Sequence, residues 1–172
     1  RSGLSVQEII HYRSTSAILC LSQNLDDCSG CRCTRASLVS GKLEKTLVIS
    51  IALRAKRYDG YVSHFLARTP QAIVVNIGCG LDTRFWRIDN EQVRFYDLDL
   101  PEVIEVKKQF FQENERYHFI LSSVLDDEWI ASLRQQEKGP FLFMAEGVFM
   151  YLHEEDVKSL VLKLQSHFPG SE

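Results

Sequence analysis

Short apolar runs alternate with longer amphipathic stretches along the second half of the chain. Four of the runs have the length and the β-branched or aromatic content of buried strands, and they cover residues 73–77, 93–96, 118–121 and 141–145. The stretches between them carry apolar residues at steps of three or four, the spacing of one helix face. The last stretch is the clearest helix, with an apolar stripe formed by Val157, Leu160, Val161 and Leu164. Strands that alternate with helices predict an α/β fold with a doubly wound, mostly parallel sheet.

The chain before the first strand divides into two parts. Residues 43–66 predict a helix, because apolar side chains recur there at steps of three or four. Residues 1–42 are less regular, with a candidate helix over residues 6–21 and a polar loop after it. We therefore expect an N-terminal extension over residues 1–42 and one main domain over residues 43–172.

Composition and charge exclude several classes of partner. The chain has 172 residues, of which 45% are hydrophobic and 25% charged, as is usual for one globular domain. A net charge of −3 gives no reason to expect nucleic acid or an anionic membrane surface as partner. No apolar run reaches the roughly 18 residues of a membrane span, and the first residues lack a signal-type apolar core. We expect a cytoplasmic protein.

Four cysteines lie close together in the N-terminal part of the chain: Cys20, Cys28, Cys31 and Cys33. Four thiolates can bind zinc in a tetrahedral site. Their spacing, however, lacks the two separated C-x2-C pairs of common zinc modules. With Cys79 the total is five, and an odd number argues against a full disulfide framework. We therefore expect reduced thiols and no metal site.

A glycine turn follows the first predicted strand. Gly78 and Gly80 allow the backbone to turn sharply and to approach a ligand closely. The second strand delivers Asp97 and Asp99, the latter 19 residues after Gly80, where a carboxylate can accept bonds from ribose hydroxyls. A dinucleotide site would have a third glycine at the position of Thr83. The pattern favours a ligand with ribose and adenine but no pyrophosphate, such as S-adenosylmethionine, over the NAD of an oxidoreductase.

The other two strands also end in polar residues. Ser123 follows the third strand, and Glu146 follows the all-apolar fourth strand. In a parallel sheet of this kind the ligand lies beyond the carboxyl ends of the strands, so four strand ends predict one site. A carboxylate after an apolar strand is costly without a partner, which favours a functional role for Glu146.

Three segments resemble motifs of the leucine carboxyl methyltransferase family, whose bacterial members are similar to polyketide-synthesis O-methyltransferases. The first motif is Val74-Val75-Asn76-Ile77-Gly78-Cys79-Gly80-Leu81-Asp82-Thr83-Arg84-Phe85. Residues 96–104 and 145–151 resemble two more motifs in the family's order. The resemblance runs from about residue 53 to residue 172, and it implies the Rossmann-like fold and S-adenosylmethionine cofactor of class I methyltransferases.

The resemblance also implies roles for two charged residues at the methionine end of the cofactor. Arg54 matches the family arginine that binds the cofactor's carboxylate, for which a guanidinium fork is suited. Arg57 is the alternative if the register differs by one turn. Glu146 matches the family's acidic residue near the same end of the cofactor.

At the nucleoside end, the resemblance implies that Asp99 binds the ribose and that Ser123 and Val124 lie beside the adenine. We include Asp97 among the candidate cofactor ligands. Two other roles stay open for Asp97, since it could instead brace the glycine turn or pair with Arg84. Asp82 is expected to cap the turn or to pair with Arg84.

The function implied is an S-adenosylmethionine-dependent O-methyltransferase that acts on a small molecule or on a carboxyl group. A carboxylate acceptor is already a nucleophile, so the sequence assigns no catalytic residue. A phenol or alcohol would need a base, and His153, the histidine nearest a strand end, is expected to face solvent.

One departure from the family keeps an alternative open. Residues 168–172 stand where the fifth strand should begin, and the family's later strands are absent from residues 1–172. The alternative is a truncated, non-catalytic nucleotide-binding or interaction module. The fourth strand would then present a bare edge, and we expect it to support a homodimer or aggregation.

Overall fold

Helices cover both faces of a four-stranded parallel sheet in the computed structural model, which describes residues 45–172. The strands lie in the order β3-β2-β1-β4, and all three neighbouring pairs are parallel. Their bounds are Ile73–Ile77 for β1, Arg94–Asp99 for β2, Tyr117–Leu121 for β3 and Phe141–Ala145 for β4. The predicted doubly wound α/β fold is confirmed.

Five α-helices and one short 3-10 helix precede, connect or follow the strands of the described residues. They are α1 Lys45–Arg68, α2 Arg84–Ile88, α3 Pro101–Lys107, α4 Glu128–Gln136 and α5 Glu154–His167, with the 3-10 helix at Phe149–Tyr151.

Two hydrophobic cores flank the sheet. On one face, Val74 and Phe95 of the sheet share a core with Phe65 of α1 and Phe85 of α2. On the other face, the sheet packs against apolar residues of α4 and α5. The two faces explain why β1 is an apolar run rather than an alternating one, since all five of its residues are buried.

The element bounds differ from the sequence prediction in two informative places. β2 continues through Asp99, because Asp97 and Asp99 are still in register with Phe119 and Leu121 of β3. In α5 the buried face is narrower than the predicted apolar stripe, because Leu160 is buried whereas Val161 is 48% exposed.

Several expectations fall on residues that the structure does not describe. The candidate helix over residues 6–21 and the four-cysteine segment, residues 20–33, lie outside the described range. The boundary between an extension and a main domain at residues 42–43 stays a prediction. Within residues 45–172, no helix is both long and apolar enough to cross a membrane.

The outer edge of β4 is not bare along its whole length, which corrects one expectation. The Glu172 N–H donates to the Phe141 carbonyl at 3.1 Å, and the Phe143 N–H donates to the Glu172 carbonyl at 2.9 Å. These two bonds are the pattern of a parallel strand pair. Residue 172 therefore lies where the sequence places the start of a fifth strand, next to β4.

Candidate functional site

The glycine turn, residues 78–82, lies across the carboxyl ends of β1 and β2. Gly78 and Gly80 have φ values of 62° and 51°, a conformation that glycine adopts without strain. The N–H groups of Gly78 and Cys79 both donate to the Leu98 carbonyl, at 2.7 and 3.1 Å. The hydrogen bonding between β1 and β2 therefore continues past the end of β1 into the first two residues of the turn.

Asp99 is joined directly to the glycine turn. Its Oδ2 accepts a hydrogen bond from the Gly80 N–H at 2.8 Å, and its Oδ1 accepts one from the Leu100 N–H at 2.9 Å. The side chain is 4% exposed. The structure thus places together the three predicted residues Gly78, Gly80 and Asp99, with a carboxylate at the end of β2.

Asp97 has different neighbours, although it stands only two residues before Asp99. It is buried, and its Oδ1 accepts from the Asn76 Nδ2 at 2.9 Å. Its Oδ2 accepts from the Tyr117 hydroxyl at 2.5 Å and lies 2.6 Å from the Lys107 Nζ. Its carboxylate is thus engaged by protein donors, which fits the bracing role better than a ligand role. Asp97 forms its ion pair with Lys107. The pairing with Arg84 that was considered from sequence does not form.

Arg54 and Glu146, predicted from opposite ends of the domain, are in contact. The Arg54 Nε lies 2.7 Å from the Glu146 Oε1. The Arg54 side chain is 50% exposed, whereas that of Glu146 is 8% exposed. Arg57 instead donates to the Tyr61 hydroxyl at 2.9 Å, on the exposed side of α1. The structure therefore brings Arg54, and not Arg57, to the carboxyl end of β4.

Arg84 links three carboxylates beneath this pair. Its fully buried guanidinium lies 2.6 Å from Asp59 of α1, 2.8 Å from Asp82 of the turn and 2.6 Å from Glu146. Burial opposes the charge of Arg84, but the carboxylates outweigh it and hold the pKa of Arg84 above its usual value. The expected pairing of Asp82 with Arg84 is confirmed.

The charge on Asp82 follows from the same contacts. Burial alone would raise the pKa of Asp82. Arg84 and Arg87 outweigh burial and hold the pKa of Asp82 below its usual value of 3.8. The Arg87 Nη2 lies 3.2 Å from the Asp82 Oδ1 and also donates to Asp59 at 3.1 Å. The turn therefore keeps a carboxylate that two guanidinium groups neutralise.

Ser123 and Val124 lie on the loop that follows β3. The Ser123 Oγ accepts from the Leu125 N–H at 3.2 Å, and the Ser123 N–H donates to Asp126 at 3.0 Å. The preceding residue, Ser122, donates its N–H to the Asp99 carbonyl at 3.1 Å. The loop is thus tied to the end of β2, at the same edge of the sheet as the glycine turn.

Cys79 and His153 are two side chains near the strand ends that could act as a nucleophile or a base. Cys79 is a free thiol in the glycine turn, and burial together with the nearby Asp97 raises its pKa well above the usual value. His153 is exposed and immediately precedes α5, and its carbonyl accepts from the Val157 N–H at 3.1 Å. Neither side chain has the surroundings of an activated nucleophile or base.

Sequence reasoning missed residues that support the site, chiefly the buried Asn76 and Lys107 and the partly buried Asp59. One of them left a signal in the sequence. Asn76 is a polar residue inside the apolar run of β1, and a buried amide requires partners. Lys107 lies at the end of an amphipathic helix, where a lysine is usually solvated, so nothing in the pattern distinguished it.

The strand order places the two charged parts of the site on either side of the glycine turn. β1 lies between β2 and β4, so the glycine turn lies between Asp99 on one side and the Arg54–Glu146 pair on the other. A carboxylate suits ribose hydroxyls, and a half-exposed guanidinium suits the cofactor's carboxylate.

One family profile and several known methyltransferases match the chain. The sequence profile of the leucine carboxyl methyltransferases matches residues 31–165. The tetracenomycin polyketide synthesis O-methyltransferase of Streptomyces glaucescens is 33% identical over 120 residues, which cover 69% of this chain and 44% of that protein. An S-adenosyl-L-methionine-dependent methyltransferase of Gibberella zeae is 30% identical over 128 residues, which cover 70% of this chain and 43% of that protein.

The chain spans less than half the length of these two relatives. The profile nevertheless covers most of residues 1–172 and includes the glycine turn, the end of β2 and the end of β4. The chain therefore belongs to the leucine carboxyl methyltransferase family, as its motifs indicate, and S-adenosylmethionine is the cofactor of that family.

Proposed function

We propose that this chain binds S-adenosylmethionine as part of an O-methyltransferase that acts on a small molecule or on a carboxyl group. The observation that carries the proposal is the position of the glycine turn between Asp99 and the Arg54–Glu146 pair. The family match and the similarity to a polyketide O-methyltransferase support it.

Each candidate residue then has a distinct role. Asp99 accepts hydrogen bonds from the ribose, and the backbone of Gly78 and Gly80 allows the ligand to approach closely. Ser123 and Val124 lie beside the adenine, on the loop tied to β2. Asp97 supports the turn from inside the protein and does not contact the ligand.

The methionine end involves an exchange of partners. In the structure, Arg54 is paired with Glu146, whose second oxygen is held by Arg84. We propose that the half-exposed Arg54 turns its fork to the cofactor's carboxylate, while Arg84 keeps Glu146 in place. Because Arg84 still neutralises Glu146, this exchange leaves no unpaired buried carboxylate.

The chemistry requires alignment more than a base. When bound, S-adenosylmethionine supplies a methyl group on a sulfonium, which an oxygen nucleophile accepts by in-line displacement. The chain's residues orient the reactants and exclude water. A carboxylate acceptor needs no base, whereas a phenol or alcohol needs one.

A non-catalytic nucleotide-binding module is the alternative that the experiment has to separate from an enzyme. Calorimetric titration with S-adenosylmethionine, S-adenosylhomocysteine and NAD tests the binding half of the proposal. We expect both adenosyl ligands to bind and NAD not to bind. Labelled methyl transfer to a phenol and to a peptide carboxyl group then separates the candidates, since binding without transfer to either acceptor supports the module.

A further inference from the structure

A lysine and an aspartate form an ion pair in the protein interior beside the glycine turn. Lys107 is the last residue of α3, and its side chain is fully buried, with Nζ 2.6 Å from the Asp97 Oδ2. Asp97 also accepts hydrogen bonds from Asn76 of β1 and Tyr117 of β3. Burial opposes the charge of Lys107, but Asp97 outweighs it and holds the pKa of Lys107 above its usual value.

The same ammonium group contacts the backbone of the turn. The Lys107 Nζ donates to the Asp82 carbonyl at 2.9 Å. The peptide bonds of the described residues are trans, so this carbonyl and the Thr83 N–H point in opposite directions. By fixing the direction of the Asp82 carbonyl, Lys107 therefore also fixes the direction of the Thr83 N–H. The turn is thus held from two sides, at Gly80 by Asp99 and at Asp82 by Lys107.

Stability alone is a weak reason for such a pair. A buried ion pair can often be replaced by uncharged residues with no loss of stability, because desolvation offsets its attraction. Uncharged residues would, however, leave the Asp82 carbonyl without the donor that orients it. The contact with the turn is therefore what distinguishes this pair from an apolar equivalent.

We propose that Lys107, held in place by Asp97, is a positioning residue that fixes the glycine turn in the conformation that binds S-adenosylmethionine. Lys107 acts through the Asp82 carbonyl and not by touching the ligand. The proposal rests on the proposed function, because the ligand is the one assigned to the turn there.

The test uses an uncharged replacement of the pair, Lys107→Met with Asp97→Asn, in the 172-residue chain. Lys107→Met alone would leave Asp97 without its cation, and the second substitution removes that charge. The matched control is Lys163→Met with Asp127→Asn, since Lys163 and Asp127 form an ion pair at the surface, away from the turn. Thermal unfolding, amide hydrogen exchange without ligand and calorimetric titration with S-adenosylmethionine are measured for each protein.

We expect the Lys107→Met and Asp97→Asn protein to unfold within a few degrees of wild type, yet to exchange the turn amides of Gly78, Cys79 and Asp82 faster. These three amides are hydrogen-bonded in the structure. We expect its affinity for S-adenosylmethionine to fall about tenfold, which corresponds to the net value of one hydrogen bond. The surface control should match wild type in exchange and in affinity.

Two results would overturn the proposal. If the turn amides of the double variant exchange at the wild-type rate, Lys107 does not hold the turn, whatever the affinity for S-adenosylmethionine. Faster exchange with unchanged affinity would show that the held conformation is not the binding one.

If the double variant does not fold, Lys107→Arg is compared with wild type by the same exchange measurement. Arginine keeps a cation beside Asp97, but its larger, planar guanidinium does not replace the ammonium group at the Asp82 carbonyl, so the turn amides should exchange faster. Exchange at the wild-type rate in Lys107→Arg counts against the proposal. A wild-type chain that fails to bind S-adenosylmethionine contradicts the proposed function instead, while the exchange measurement still decides the role of Lys107.

Discussion

At the residue scale, the carboxylate of Asp99 joins the end of β2 to the glycine turn through the Gly80 N–H. Asp99→Ala should weaken the binding of S-adenosylmethionine by about 1–3 kcal/mol, because ribose hydroxyls then lose their acceptor. Calorimetric titration measures the loss, and Asp127→Ala, which removes an exposed carboxylate, is the control. Unchanged affinity in Asp99→Ala would remove the ribose role from this residue.

Arg54 and Arg57 offer a matched pair of variants on one helix. Arg54→Lys keeps the charge but loses the fork that binds a carboxylate at two points, so the affinity for S-adenosylmethionine should fall several-fold. Arg57→Lys should bind as wild type does, because Arg57 contacts Tyr61 at the surface. If Arg57→Lys weakens binding more than Arg54→Lys does, the register predicted from sequence is wrong.

The direction of each side chain is the part of the site that sequence could not supply. Spacing correctly placed the glycine turn and an acidic strand end together, because turn glycines and strand ends are local features. It could not show that Asp97 contacts Lys107, whose role depends on how α3 packs against the sheet. Exposed and buried lysines look alike in a helix pattern, so the supporting interactions had to come from the structure.

At the element scale, Arg84 of α2 ties α1, the glycine turn and the end of β4 together. Arg84→Met should lower the free energy of unfolding by about 3–5 kcal/mol, since it leaves buried carboxylates without their cation. Arg68→Met, which breaks an exposed pair with Glu172, should cost less than about 1 kcal/mol. Urea unfolding followed by tryptophan fluorescence compares the two, and equal losses would contradict the linking role of Arg84.

The strands and longer helices were predictable because their apolar periodicity is strong. β1 and β4 have the predicted bounds. The five-residue helix α2 was not predicted, because one turn and a half is too short to show a period. That helix nevertheless supplies Arg84 and Arg87, so a short element carries much of the charge at the site.

At the scale of the whole molecule, the outer edge of β4 governs the expected association of the chain. Glu172 pairs with the Phe141 carbonyl and the Phe143 N–H, and by alternation the Ala145 N–H faces the same side. β4 has no charged residue or proline to discourage pairing with another chain. We expect the 172-residue chain to dimerise or aggregate at micromolar concentration, as measured by light scattering.

A variant at this edge tests the cause of the association. Ala145→Pro removes an outward N–H and leaves the β1 side of β4 intact, so it should reduce the association. A monomeric wild-type chain would contradict the expectation. Association that is unchanged in Ala145→Pro would place the contact elsewhere.

The strand order also sets a sequence of events during synthesis. Ile73 of β1 pairs with Arg94, 21 residues later, and with Phe141, 68 residues later. As the chain leaves the ribosome, β1 can therefore pair with β2 long before β4 exists, and the shorter loop also closes at a lower entropic cost. The nucleoside half of the site should form first, and the charged half at Glu146 last. In refolding of the whole chain, where only the entropic cost of the loops acts, pulse-labelled hydrogen exchange should still show protection of β1 and β2 before that of β4. Simultaneous protection of all three strands would contradict this order.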